Sequence, residues 1–251
     1  MFDKFIKELN IPAKCRVGKK IFKKVFYENA SFNKKDKEIF TEEIKSIEWL
    51  FSLKSDTINI QPYVDGDKEY EEIAIIKVDV ISYKRIKKIC EIIQKTIPYP
   101  LILIFNREDK ILISAALKRV NKADESKNTV EEYFYTDLVD LSSPSDDEEK
   151  FLQSLNLNSL SFTNFYNLYM DIINRMNLLN VTKYGEKYEV VSEEKARDIK
   201  KISDEIEETD KEIIDLRNKM KKEVGFNKRV ELNMKIKQLK EQRKILIEKL
   251  K

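Results

Sequence analysis

The sequence predicts an α+β fold: a small mixed or antiparallel sheet flanked by helices, followed by a C-terminal antiparallel α-helical coiled-coil hairpin. Three observations carry that expectation. Apolar spacing switches from helical to period two near residue 57 and returns to helical spacing by residue 83. Two apolar runs, 101–105 and 111–117, are separated by a short polar stretch, the pattern of a β-hairpin. Beyond Ser192, apolar residues step by three and four along two arms that meet at Gly225.

Taken in order, Phe2, Phe5, Ile6 and Leu9 fall at helical spacing, and Pro12 ends that element. Ile21, Phe22, Val25 and Phe26 form a second short stripe within a predicted helix over 18–27. Ile39, Phe40, Ile44, Ile47, Leu50 and Phe51 form a third and longer helical stripe, with Trp49 beside it. Residues 57–61 alternate cleanly and predict a strand, closed by Pro62 and a turn at Asp65-Gly66. A second strand is predicted over 72–81, rich in Ile and Val, and a helix over 83–96 through Ile86, Ile89, Cys90 and Ile93.

Pro98 stops that helix and Pro100 launches the apolar strand 101–105. The turn 106–110 leads into 111–117, where Ile111, Ile113, Ala115 and Leu117 share one face. Lys118-Arg119 is expected where this sheet meets solvent. Another strand is predicted over 133–138, and solvated loops over 121–131 and 142–150. Ser145 through Glu148 form a capping box that starts a helix. A further helix over 163–179 carries Phe165, Leu168, Tyr169, Ile172, Ile173 and Met176. A strand-helix-strand crossover joining 72–81 to 101–105 fits this order.

The chain is thus expected to divide into an α+β domain, 1–185, and a helical hairpin, 192–251. In the first arm Ile199, Ile202, Ile206, Ile213, Leu216 and Met220 mark the seam, with Thr209 in one slot. Leu232, Ile236, Leu239, Leu246 and Leu250 mark it in the second, with Arg243 in one slot. Residues 193–223 carry net charge −2 and 228–251 carry +6, which favours pairing of the two arms. The rival is one continuous helix in an intermolecular coiled coil, since glycine inside a helix costs only about 1 kcal/mol.

Composition excludes several chemistries. The 251 residues contain no histidine, which removes Ser-His-Asp and Cys-His catalysis and histidine-ligated zinc. Cys15 and Cys90 are too few for a four-cysteine zinc site, and Cys90 in an apolar helix reads as a buried thiol. Four glycines offer no phosphate-cradling loop. No cofactor and no metal are expected. Without a signal peptide or an apolar run of about 20 residues, a soluble, reduced, cytoplasmic protein is expected.

Charged residues reach 37%, yet the net charge is only +3, so local charge carries any argument about partners. Abundant Lys, Ile and Asn is also the codon signature of an AT-rich genome, which weakens lysine number as a sign of nucleic-acid binding. The N-terminal run is the more informative feature. Lys14, Arg16, Lys19, Lys20, Lys23 and Lys24 lie among Phe22, Phe26 and Tyr27. On a helix, Lys19, Lys20, Lys23 and Lys24 would line the outer face and could neutralise phosphates; an ordinary solvated face is the competing reading. Lys118 and Arg119 are candidates of the same kind. Lys235, Lys237, Lys240, Arg243 and Lys244 on the second arm are candidates for binding a partner.

A metal-dependent nuclease is the enzymatic alternative. Asp65, Glu72 and Lys77 superficially match a carboxylate-carboxylate-lysine site, but that motif needs a carboxylate two residues before the lysine, where Ile75 stands. Glu72 and Lys77, five apart on a strand, point to opposite faces. Glu72 then reads as a solvated strand residue.

An ordered series of segments resembles a known family. It runs from Ile11-Pro12, Lys19-Lys20 and Phe26-Tyr27-Glu28-Asn29 to Ile47-Glu48-Trp49-Leu50 and Thr57-Ile58-Asn59-Ile60. Tyr70-Glu71-Glu72-Ile73, Ile97-Pro98-Tyr99-Pro100 and Leu117-Lys118-Arg119 complete it. Together these resemble a bacterial and archaeal domain-of-unknown-function family over roughly residues 10–180. The resemblance implies a family whose genes tend to lie beside type III-like restriction-modification methyltransferase and helicase genes. The resemblance implies a setting near DNA and brings no catalytic residue with it. The expectation is a non-enzymatic accessory subunit of a DNA-targeting restriction or phage-defence complex, docking a helicase or methyltransferase and, as a further partner, DNA. A coiled-coil oligomerisation protein is the remaining alternative.

Overall fold

The computed structural model describes residues 1–30, 32–120 and 128–250. Seven strands form one mixed sheet. Its path is β1 (Arg16–Lys20), β2 (Ile44–Lys54), β5 (Glu72–Val80), β6 (Leu101–Arg107), β7 (Lys110–Val120) and β8 (Asn128–Tyr135), while β9 (Val139–Asp140) also pairs with β7. The short β3 (Tyr63–Val64) and β4 (Glu69–Tyr70) make a separate hairpin. Only β5 and β6 run parallel, joined by the crossover helix α5 (Ile86–Thr96). The sheet is mixed because that single crossover interrupts an otherwise antiparallel order.

One face packs on α2 (Lys23–Asn29), α3 (Lys34–Glu43) and α5, with Phe26, Phe40, Ile76, Val78, Cys90 and Phe105 in its core. The other is covered by α1 (Phe2–Glu8), α6 (Asp146–Ser154) and α7 (Phe165–Val181). There Phe5, Leu9, Leu155 and Ile172 meet Ile75, Ile102, Ile104 and Ile113 around a void of only about 40 Å³. With both faces covered, β5 and β6 are nearly continuous hydrophobic runs.

Several expected elements form as read. Glu108 and Asp109 both take positive φ, the backbone of a tight two-residue hairpin turn between β6 and β7. Ser145 Oγ accepts the Glu148 N–H while the Glu148 carboxylate accepts the Ser145 N–H, which starts α6. The crossover from β5 to β6 is present.

Three local readings are corrected. Residues 39–51 are not one helix: α3 ends at Glu43 and Ile44 opens β2. Register shifts near Ser46 and Leu50 each insert an extra residue, so buried Ile44, Ile47 and Phe51 recur at three and four like a helix. Residues 57–61 are not a strand. A single turn, α4 (Ser55–Ile58), is followed by Asn59 at φ 55°, a left-handed residue that lets Ile58 and Ile60 both bury. Residues 18–27 are not one helix: β1 extends to Lys20, with Gly18 at φ 59° inside its irregular register, and α2 begins at Lys23.

Residues 128–131, expected in a loop, belong to β8, and 136–138, expected in its strand, lie past its end. The rest of that expected loop, 121–127, lies outside the described residues.

At the other end of the β6–β7 ladder the strands part after the Leu103–Ser114 pair. The Tyr169 hydroxyl fills the gap, accepting the Ala116 N–H at 2.9 Å and lying 2.9 Å and 3.0 Å from the carbonyls of Leu101 and Ala116. Tyr169→Phe should therefore cost about 2–3 kcal/mol, read from the urea midpoint, because the buried Ala116 N–H and C=O lose this partner, while Leu101 O keeps the Gln94 amide as a donor at 3.2 Å. A change below about 0.5 kcal/mol would show that the backbone closes the gap without the hydroxyl.

Contacts divide the chain into 1–179 and 180–251. In the second unit α8 (Glu193–Lys222) and α9 (Phe226–Leu250) pair as a hairpin. Val181, Ile206, Leu246 and Leu250 form its core. The helix breaks at 223–225, so the continuous-helix alternative is set aside. Among the described residues no helix is long and apolar enough to cross a membrane.

Candidate interaction surfaces: an aromatic acidic cleft and two basic faces

The two prolines around Tyr99 create a local deficit. Neither Pro98 nor Pro100 has an N–H, and the segment is bent away from regular pairing, so its carbonyls need donors from elsewhere. Lys118 supplies them: Nζ donates to Ile97 O at 2.6 Å and to Tyr99 O at 2.7 Å. A register shift between Leu117 and Lys118 accompanies this inward turn of the side chain. Lys118 is 3% exposed, and burial pushes its pKa down to about 7. The expectation that Lys118 marks the solvent edge of the sheet is corrected; its ammonium is spent on the backbone and cannot reach a phosphate.

Held in this way, Pro98, Tyr99 and Pro100 form one wall of an open cleft of about 690 Å³. Lys54, Ser55 and Asp56 at the β2–α4 corner, Pro62, and Glu69, Glu71 and Glu72 of the β4–β5 run form the rest. The Tyr99 ring lies 6.1 Å from that of Trp49 and stays partly exposed. Glu72 is committed: it accepts from Ser52 Oγ at 2.5 Å and pairs with Lys54 at 3.2 Å. Asp56, Glu69 and Glu71 are exposed. The cleft is therefore aromatic on one side and negative on the other. Below it the Tyr70 ring packs on Tyr166 and Tyr169, while Lys68 lies 4.4 Å over the Tyr166 ring. Only Tyr99 between its prolines signalled this place in the sequence; the acidic wall comes from segments whose convergence no local pattern encodes.

Glu72 and Lys77 do not meet. Lys77 pairs with Asp79 at 3.0 Å. Burial would raise the Asp79 pKa, but hydrogen bonds from Asn106, Ser46 and Lys77 hold its carboxyl below the usual range. Among the described residues no three Cys, Asp or Glu side chains are grouped to hold a metal ion. Cys90 lies 3.0 Å from Ser114 Oγ, and burial pushes its thiol up to about 11, far from a reactive thiolate.

The predicted basic residues separate into two groups. Lys19 and Lys20 are exposed on the edge strand β1, beside Phe22, which is 64% exposed. Lys24 is exposed and pairs with Glu28 at 3.4 Å. Lys23 is drawn inward: it donates to Thr41 O at 2.6 Å, and partial burial lowers its pKa. Arg119 pairs with Glu131 at 3.3 Å. On α9, Lys235, Lys237, Lys240 and Lys244 are exposed. Arg243 instead bonds Asp210 of α8 at 2.6 Å and lies 5.8 Å over the Tyr184 ring, inside the hairpin seam.

A protein-family model described as a domain of unknown function, DUF4391, matches residues 9–242. No curated protein and no solved structure matches the chain.

Proposed function

We propose, the chain being a member of the DUF4391 family of unknown function, that it is a non-enzymatic accessory subunit of a DNA-targeting restriction or phage-defence complex. Its body docks a helicase or methyltransferase subunit at the Tyr99 cleft. One observation carries this reading: two of the segments behind the family resemblance, Glu71-Glu72 and Pro98-Tyr99-Pro100, line that cleft, and Trp49 of a third lies 6.1 Å from the Tyr99 ring. A fourth, at Lys118, fastens it from behind. A pre-formed aromatic wall facing exposed carboxylates suits a cationic partner segment, with Tyr99 as the anchoring ring. The exposed lysines of β1 and α2 give the same body a face suited to DNA phosphates.

Copurification with the products of the neighbouring methyltransferase and helicase genes tests the docking. Tyr99→Ala combined with Glu71→Lys should abolish capture while leaving the thermal midpoint within a few degrees. A protein that stays alone when the neighbouring genes are coexpressed sinks the reading. The DNA face is tested separately by anisotropy across a salt series. Replacing Lys19, Lys20 and Lys24 by Gln should reduce the slope of log affinity against log salt by about 2–3. An unchanged slope removes that face from the proposal.

A further inference from the structure

The tip of the α8–α9 arm is built unlike the rest of it. Toward the base, ion pairs lace the surface: Lys200 with Asp204, Lys201 with Asp198 at 3.5 Å, and Lys183 with Glu207 at 3.4 Å. Over residues 219–231 the cations Lys219, Lys221, Lys222, Lys228 and Arg229 face only two acids, Glu223 and Glu231. All five are exposed and, among the described residues, none is ion-paired. Glu223 is itself occupied, its carboxylate accepting the Gly225 N–H at 2.8 Å to shape the reversal.

The same tip presents apolar groups to water. Val224 is 93% and Phe226 77% exposed, and Val230 and Met234 further along α9 are exposed as well. Beside them Lys219, Lys222, Lys228 and Leu232 line a shallow hollow of about 450 Å³ together with the two acids of the tip, Glu223 and Glu231. An aromatic ring at the end of an arm about 45 Å long contributes nothing to the hairpin core. Ringed by unpaired cations, it fits a partner that offers both negative charge and flat apolar faces.

We infer that the hairpin tip binds single-stranded nucleic acid, with Phe226 stacking on an unpaired base while Lys219, Lys222, Lys228 and Arg229 hold the flanking phosphates. Charge complementarity selects the phosphate chain, and the one aromatic ring of the tip, largely open to water, selects a base, whose face matches that ring in size. An acidic amphipathic helix laid along Phe226, Val230 and Met234 is the competing occupant. The inference rests on the DNA-targeting reading for its setting and assigns the contact to residues outside the cleft and outside β1.

The test uses the full chain with a labelled single strand of about 20 nucleotides carrying one 2-aminopurine, and with the corresponding duplex. The single strand should bind more tightly, with a change in 2-aminopurine fluorescence that reports stacking. Phe226→Ala should weaken binding roughly tenfold and remove the fluorescence change, and Phe226→Trp should restore both. Lys222→Gln with Lys228→Gln should lower both affinity and salt slope. Binding indifferent to Phe226, preference for duplex, or binding of an acidic amphipathic peptide in place of DNA would each overturn the inference. Capture of the neighbouring gene products is measured on the same Phe226→Ala protein. Retained capture with no dependence of DNA binding on the tip discards this inference and leaves the docking reading standing.

Discussion

Arg175→Met is expected to destabilise the α+β body by about 3–5 kcal/mol, the largest effect of any single substitution proposed for this protein. Arg175 is 4% exposed on α7, one turn from Asp171, whose carboxylate it engages through Nε and Nη2 at 3.1 Å each. Its guanidinium also donates to Ser154 O through Nη1 and to Ser159 O through Nη2. Asp171 in turn accepts the Ser161 N–H at 2.9 Å. This pair thus satisfies three backbone groups between α6 and α7, at Ser154, Ser159 and Ser161. Methionine keeps most of the apolar stem but removes the cation beside Asp171 and the guanidinium donors to the two carbonyls. Urea denaturation at neutral pH measures the loss. Arg175→Lys should recover only part of it, since an ammonium cannot reproduce the planar fork. A loss below about 1 kcal/mol for the methionine variant would mean that water satisfies these carbonyls instead.

The second large effect is a pH dependence set by Lys118. Burial lowers its pKa in the fold to about 7 from the ordinary lysine value of 10.5. Below pH 7 both folded and unfolded chains hold the proton, and the fold bears the full cost of burying the charge. Between pH 7 and 10.5 the unfolded chain binds the proton that the folded chain has released, so stability rises with pH. From pH 7 to 8.5 this amounts to about 2 kcal/mol. The titratable groups beside Lys118 are Cys90, whose thiol burial pushes up to about 11, and Tyr70, whose phenol burial also raises. Cys90 and buried Tyr169 keep their protons in the fold after the unfolded chain has lost them, and so pull stability down only above about pH 9.

Urea midpoints at intervals from pH 7 to 8.5 should therefore climb for the natural chain and stay flat for Lys118→Met. Parallel curves would show that the two carbonyl contacts keep Lys118 charged throughout. The same substitution leaves Ile97 O and Tyr99 O without their donor, so partner capture at the cleft should weaken as well.

Much of the architecture was legible locally. The alternation of Ile111, Ile113 and Ala115, the prolines at 98 and 100, and the capping box at Ser145 each act within a few residues, and each formed as read. So did the three-and-four stepping of Ile206, Ile213, Ile236 and Leu246, whose buried seam closes the hairpin. Residues 39–51 misled because bulges in β2 turned a strand's spacing into a helical one. Nothing near residue 118 in sequence reveals that its ammonium is needed by carbonyls some twenty positions earlier. Arg175 and Asp171 carried no signal beyond an ordinary i, i+4 pair.

By itself the sequence determined the fold class, the hairpin arms, the crossover and the absence of histidine chemistry. Those follow from residue type and from periodicities that a short stretch contains. Only the tertiary structure decided that Ile44 opens a strand, that Lys118 faces inward, and that Glu71 and Tyr99 share one cleft with Trp49 against the Tyr99 ring. Each of those depends on partners supplied by distant strands, and burial beside a partner, not local propensity, sets what a side chain does there.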